Sequence, residues 1–132
     1  MSSPSDEIWN RALEYDVPAT HPGDLAVRRV LTFHGMVHNG GFWYAVETHA
    51  ADEEFPLDAV ADGYRTLGLE STAEAIDRAA AEYDQTAGVG DDEAWGEAEE
   101  RVNDEYRAVD EDITAAIERT LTEEPALFAP TD

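Results

Sequence analysis

His34 and His38 stand four residues apart. On a helix that spacing puts both imidazoles on one face, within reach of a single divalent ion. His49 lies beyond the break Asn39-Gly40-Gly41 on a segment able to fold back toward them, with Glu47, Asp52 or Glu53 as a source of an oxygen ligand. The chemistry suggested is a His-rich divalent-metal centre, or a metal-dependent enzyme built on it. Two common forms are excluded. A zincin needs Glu directly after its first His to deprotonate the metal-bound water, and Gly35 stands there. The Glu-x-x-His pairs of carboxylate-bridged diiron bundles are missing as well. With zero cysteines, thiolate ligands and thiolate nucleophiles are excluded together. Ser2, Ser3, Ser5 and Ser71 lie in the N-terminal stretch or at a helix cap, none in a nucleophile elbow. Gly88-Val89-Gly90 is followed by acids and no lysine, which is not a phosphate cradle. No catalytic residue is assigned and no cofactor is required; a metal at His34, His38 and His49 is the alternative to a non-catalytic protein.

A second chemistry is anionic. Glu93, Glu97, Glu100 and Asp104 recur at spacings of four, three and four residues, forming one stripe along a helix. Such a ridge could meet the Arg and Lys that a DNA-binding protein keeps for phosphates. A solvated outer face opposite Trp95, Val102 and Val109 accounts for the same pattern. The charge is also global: 31 acids against eight basic residues, all of them arginine, give a net charge of −23. Self-repulsion of that size destabilises a compact state. Molar salt shortens the Debye length to about 3 Å and relieves it. A cytoplasmic protein from a salt-accumulating organism is therefore expected, and direct binding to DNA, RNA or anionic lipid is disfavoured. Residues 1–14 have neither a cationic start nor an apolar run, so no secretory leader is expected. No window reaches the ~20 apolar residues of a membrane span.

The elements that position these groups read as helices throughout. Apolar residues recur every three or four positions, Ala is abundant and β-branched runs are absent. The expected fold is all-α: one compact helical bundle of five to seven helices over residues 1–132, with a long C-terminal helix. A first helix is expected over Ser5–Val17, followed by a linker Pro18–Gly23. Asp24 is expected to cap a second helix reaching about His38, and the two glycines to turn the chain into a third from Phe42 to His49. A fourth runs over Pro56–Leu67, and a capping box at Ser71 and Glu74 opens a fifth. From Asp91 a long sixth helix continues to Leu121, with a break near Asp110, and Ala126–Asp132 is expected to be a loosely held tail. Phe42, Trp43 and Tyr44 splay over about 200° of a helix, so at least one faces outward. Trp43 either anchors a partner, including a second copy in a homodimer, or packs under the Pro18–Gly23 linker.

The run His38-Asn39-Gly40-Gly41-Phe42-Trp43-Tyr44 resembles the Asn-Gly-Gly-Phe signature of a widespread bacterial and archaeal family. Its members are all-helical domains of about this size, mostly of unknown function, and include acidic proteins called DNA mimics. The resemblance extends from about Asp24 to Phe128, through Val60, Gly63, Leu67, Gly68, Ile76 and Ala79. Residues 1–23 then form an added N-terminal helix and linker. Relatives follow the Phe with a polar residue and then Gln-Tyr-Phe or something close; Trp43, Tyr44, Ala45 and Val46 stand here instead. The likeness implies a non-catalytic domain that binds a protein partner. In the mimic members that partner is a transcription regulator, held by its DNA-binding face. The candidate interaction residues are Asn39, Gly40, Gly41, Phe42, Trp43 and Tyr44 at the corner, and Glu93, Glu97, Glu100 and Asp104 on the acidic stripe. A structural homo-oligomer is a further alternative.

Overall fold

Helical periodicity becomes helix along most of the chain. The computed structural model describes residues 3–87 and 90–131, and among them there are seven α-helices, one closing 3-10 turn and no strand. The order is α1 (Pro4–Ala12), α2 (Pro22–Gly40), α3 (Phe42–Ala50), α4 (Leu57–Thr66), α5 (Glu70–Ala87), α6 (Asp92–Asn103) and α7 (Asp110–Glu123), with the 3-10 turn at Pro125–Leu127. Helix α2 is the central post, with α1, α3 and α4 packed on it. Helix α5 lies against α3 and α4 and carries α6, while α7 returns to pack on α1. At the centre, the buried Phe33 ring meets Phe42, Tyr64, Tyr106 and His49 at centroid distances of 5.4–6.3 Å. Its contacts with Phe42 and Tyr64 are edge-to-face, the arrangement that ring quadrupoles favour.

Several boundaries differ from expectation, each for a visible reason. The first helix stops at Ala12 rather than Val17. The buried Arg28 of α2 donates to the carbonyls of Ala12 (2.9 Å), Glu14 (3.0 Å) and Val17 (2.7 Å). A planar guanidinium with several donors thus satisfies the carbonyls that the uncoiled segment leaves open. Asp24 does not cap α2, which begins at Pro22. Its carboxylate is buried and accepts from Arg11 Nε (2.7 Å) and the Ala129 N–H (2.8 Å). The tail is consequently tied down rather than loose: Arg11 also donates to the carbonyls of Ala129 and Pro130, and the Phe128 ring is buried. Helix α2 admits that ring because residue 23 is glycine; a Cβ there would lie 2.8 Å from it.

The long C-terminal helix breaks over residues 104–109 and becomes α6 and α7. Tyr106 turns inward from the break, and Asp112 accepts the Val109 N–H at 2.9 Å to start α7. Helix α5 begins at Glu70, one residue before Ser71, so the expected capping box is not what opens it. Of the expected Gly88-Val89-Gly90 loop, Gly88 and Val89 lie outside the described residues.

Candidate functional site

Helix α2 brings His34 and His38 onto one face, and their Nε2 atoms lie 3.0 Å apart. The third group at this place comes from far along the chain. Asp110, the first residue of α7, sets Oδ1 2.7 Å from His34 Nε2 and 3.9 Å from His38 Nε2. Among the described residues, these three form a group able to hold a metal ion. His34 is buried, whereas His38 and Asp110 are exposed. Behind them runs a hydrogen-bonded chain: His34 Nδ1 to the Tyr106 hydroxyl (2.7 Å), and that hydroxyl to Tyr64 (2.6 Å). Burial lowers the pKa of His34 below the ordinary imidazole value, and the nearby His38 lowers it further; the hydrogen bond and charge of Asp110 oppose both. Burial raises the Tyr64 hydroxyl well above its ordinary value and raises Tyr106 too, so both phenols stay protonated.

His49 does not join this group. It is buried, Nδ1 donates to the Phe55 carbonyl at 2.9 Å, and Nε2 is buried without a hydrogen-bond partner. The turn after α3 explains this placement. Asp52 Oδ1 accepts the N–H groups of Glu54 and Phe55 at 2.8 Å each, aiming the Phe55 carbonyl back at the ring. Those bonds, chiefly the one from Phe55, also hold the Asp52 carboxyl below its ordinary pKa.

The glycine corner is built as expected, with different tenants. Gly41 ends α2 and opens α3 at φ 94°, ψ 168°, a region that residues with side chains avoid. Asn103, at the end of α6, accepts the Trp43 N–H at 2.8 Å and so caps α3 from another helix. Phe42 and Trp43 are buried, while Asn39, Gly40 and Tyr44 are exposed. Trp43 packs neither outward nor under residues 18–23. It lies edge-on to Trp95 (5.1 Å between centroids) and beside Tyr83 (5.9 Å). The outward residue of the aromatic run is Tyr44.

Glu93, Glu97, Glu100 and Asp104 are all exposed on α6, with Asp104 at its C-cap. None of the four is ion-paired among the described residues; the neighbouring Arg101 turns to Glu82 of α5. At 1.5 Å rise per residue the stripe is roughly 16 Å long. Residues 19–127 match the family model described as DMP19-like protein. The chain belongs to that family. No curated protein and no solved structure matches it. The DMP19-like match takes in α2 through α7, hence both the acidic stripe and the His34–His38–Asp110 group. Among the described residues, no helix of this DMP19-like chain is long and apolar enough to cross a membrane.

Local spacing identified His34 and His38 but not Asp110 or the two tyrosines. Nothing local points to them: Tyr106 lies in the break between α6 and α7, Asp110 opens α7, and Tyr64 sits on α4.

Proposed function

We propose that this protein is a non-catalytic, cytoplasmic interaction domain that presents carboxylates to the basic face of a DNA-binding protein, in the manner of a DNA mimic. The observation that carries the reading is the unpaired row Glu93, Glu97, Glu100 and Asp104 on α6 of a chain in the DMP19-like family. A partner that keeps Arg and Lys for phosphates finds the same charge-assisted hydrogen bonds on carboxylates. The stripe spaces its charges by four and three residues, about 4.5–6 Å along the helix, sparser than the one charge per ~1.7 Å of a duplex. Recognition then rests on the arrangement of a few carboxylates and less on total charge.

The test is competitive capture. The immobilised protein is exposed to lysate at the ionic strength of its source, and bound proteins are eluted with duplex DNA. The expected result is recovery of nucleic-acid-binding proteins that duplex DNA displaces, and their loss from the variant Glu93→Gln, Glu97→Gln, Glu100→Gln, Asp104→Asn. Partners that resist DNA, or that bind the quadruple variant equally, would overturn the reading. All four side chains are exposed, so the variant retains the fold.

A further inference from the structure

The structure assigns a second site: His34, His38 and Asp110 form a three-ligand centre for a divalent transition ion of the zinc class, clamping α2 to the start of α7. The donors already converge. His34 Nε2, His38 Nε2 and Asp110 Oδ1 stand 2.7, 3.0 and 3.9 Å apart. Those separations bracket the ~3.3 Å expected between donors on a tetrahedral ion with bonds near 2.0 Å. Two imidazoles and one carboxylate are a borderline donor set, suited to Zn²⁺ and its neighbours and poorly suited to Ca²⁺ or Mg²⁺, which prefer oxygen.

The second observation lies behind the ligands. A ligating histidine commonly gives its other ring N–H to an oxygen, which fixes the tautomer and the ring plane. The Tyr106 hydroxyl, 2.7 Å from His34 Nδ1, is placed for that, and Tyr64 holds Tyr106 from inside the core at 2.6 Å. A phenol both donates and accepts. It can donate to Nδ1 when His34 gives its Nε2–H to Asp110, and accept from Nδ1–H when Nε2 holds an ion. The ring can therefore pass between the two states without moving. His38 and Asp110 are exposed, which leaves a path for entry and room for water on the remaining coordination positions. An open cleft of about 390 Å³ lined by Asp6, Trp9, Asn10, Asp110 and Thr114 adjoins the carboxylate.

Untagged, chelator-treated protein in molar potassium chloride is titrated with ZnCl₂ by calorimetry, and separately with CoCl₂ by visible absorbance. High salt suppresses diffuse ion uptake by the acidic coat. The expected result is one ion per chain, with intense Co²⁺ bands of four-coordinate geometry. His38→Ala and Asp110→Asn, both at exposed positions, should each weaken binding by at least about tenfold, and Tyr106→Phe by a similar factor through the ring it orients. His49→Gln should keep the stoichiometry and the Co²⁺ spectrum. Absence of a stoichiometric step, or an unchanged step in His38→Ala and Asp110→Asn, would overturn the assignment. Neither outcome bears on the acidic stripe, because the quadruple α6 variant keeps all three ligands.

Discussion

Replacing Gly41 by alanine should destabilise this protein, while the same replacement at Gly35 should stabilise it. Gly41 holds φ 94° and ψ 168° because it serves two helices at once. Its N–H donates to the Val37 carbonyl at 2.8 Å to finish α2, and its carbonyl takes the Ala45 N–H at 3.1 Å to begin α3. A residue forced into that conformation costs about 1–3 kcal/mol, and relaxing it would sacrifice both bonds. Gly35 is exposed in the middle of α2, and a Cβ there meets nothing within 4 Å. Alanine at Gly35 removes freedom from the unfolded chain and contributes roughly 0.5–1 kcal/mol. One added methyl on the same helix should thus separate the two variants by about 1.5–4 kcal/mol. With a urea slope of roughly 1–3 kcal/mol per molar, their midpoints should differ by about 0.5 M or more. Far-ultraviolet circular dichroism during urea unfolding in molar potassium chloride measures this. A Gly41→Ala variant within about 0.5 kcal/mol of the parent would refute the view that the corner requires a positive φ.

Trp43→Ala should cost about 3–5 kcal/mol, because it empties a core position against Trp95 and Tyr83. A variant that keeps the parent's urea midpoint would return Trp43 to the surface. Deleting residues 125–132 should cost at least ~1.5–3 kcal/mol from the Phe128 ring alone, and it also strips Asp24 and Arg11 of backbone partners. A calorimetric melt identical to that of the full chain would show the tail to be idle. Dilution from molar salt to low ionic strength should lower the melting temperature steadily, as repulsion among unpaired carboxylates returns. An unchanged, monomeric, folded protein in dilute buffer would refute salt adaptation as the origin of the acidity.

What could be read from the sequence was what depends on neighbours three or four residues away. The helices followed from apolar spacing, the α2–α3 corner from two glycines, and the His34–His38 pair from a four-residue interval. What depends on distant partners was hidden. Nothing near Trp43 announces that Asn103 will cap its N–H, and nothing near His34 announces Asp110, 76 residues away. The same blindness misplaced the tail. Pro125 and the short end after it read as a frayed terminus, yet Asp24 was already committed to it, and a buried carboxylate reads locally as a helix cap. Where the α6–α7 break falls is likewise a tertiary effect. Residues 104–109 leave the helix as Tyr106 reaches Tyr64 and His34, bonds that a continuous helix offers no local reason to exchange.

The arginines explain why so acidic a chain needs no lysine. Arg28 gathers the carbonyls that follow α1, Arg11 joins Asp24 to the tail, and Arg119 donates to the Leu67 carbonyl at 2.8 Å where α4 ends. Arg28 and Arg11 each hold a chain segment through several directed N–H groups, work for which a planar fork is pre-organised and a single ammonium is not. Arg65 and Arg101 tie helices through Asp77 and Glu82, and Arg78 ties α5 to Glu105 in the break before α7. Being exposed, those pairs contribute little to stability in concentrated salt. These cations are thus committed within the chain, to backbone carbonyls or to three exposed ion pairs, and the outer surface is left to carboxylates with few partners. The row on α6 stands out from that coat only in its regular spacing along one helix. Removing those four charges should therefore leave stability almost untouched while abolishing any partner that reads them. An acidic coat serving only to hold water predicts the opposite: four charges removed elsewhere, at Glu14, Asp16, Glu53 and Asp58, would alter partner capture just as much. Comparing the two quadruple variants at one salt concentration separates a general coat from a directed surface.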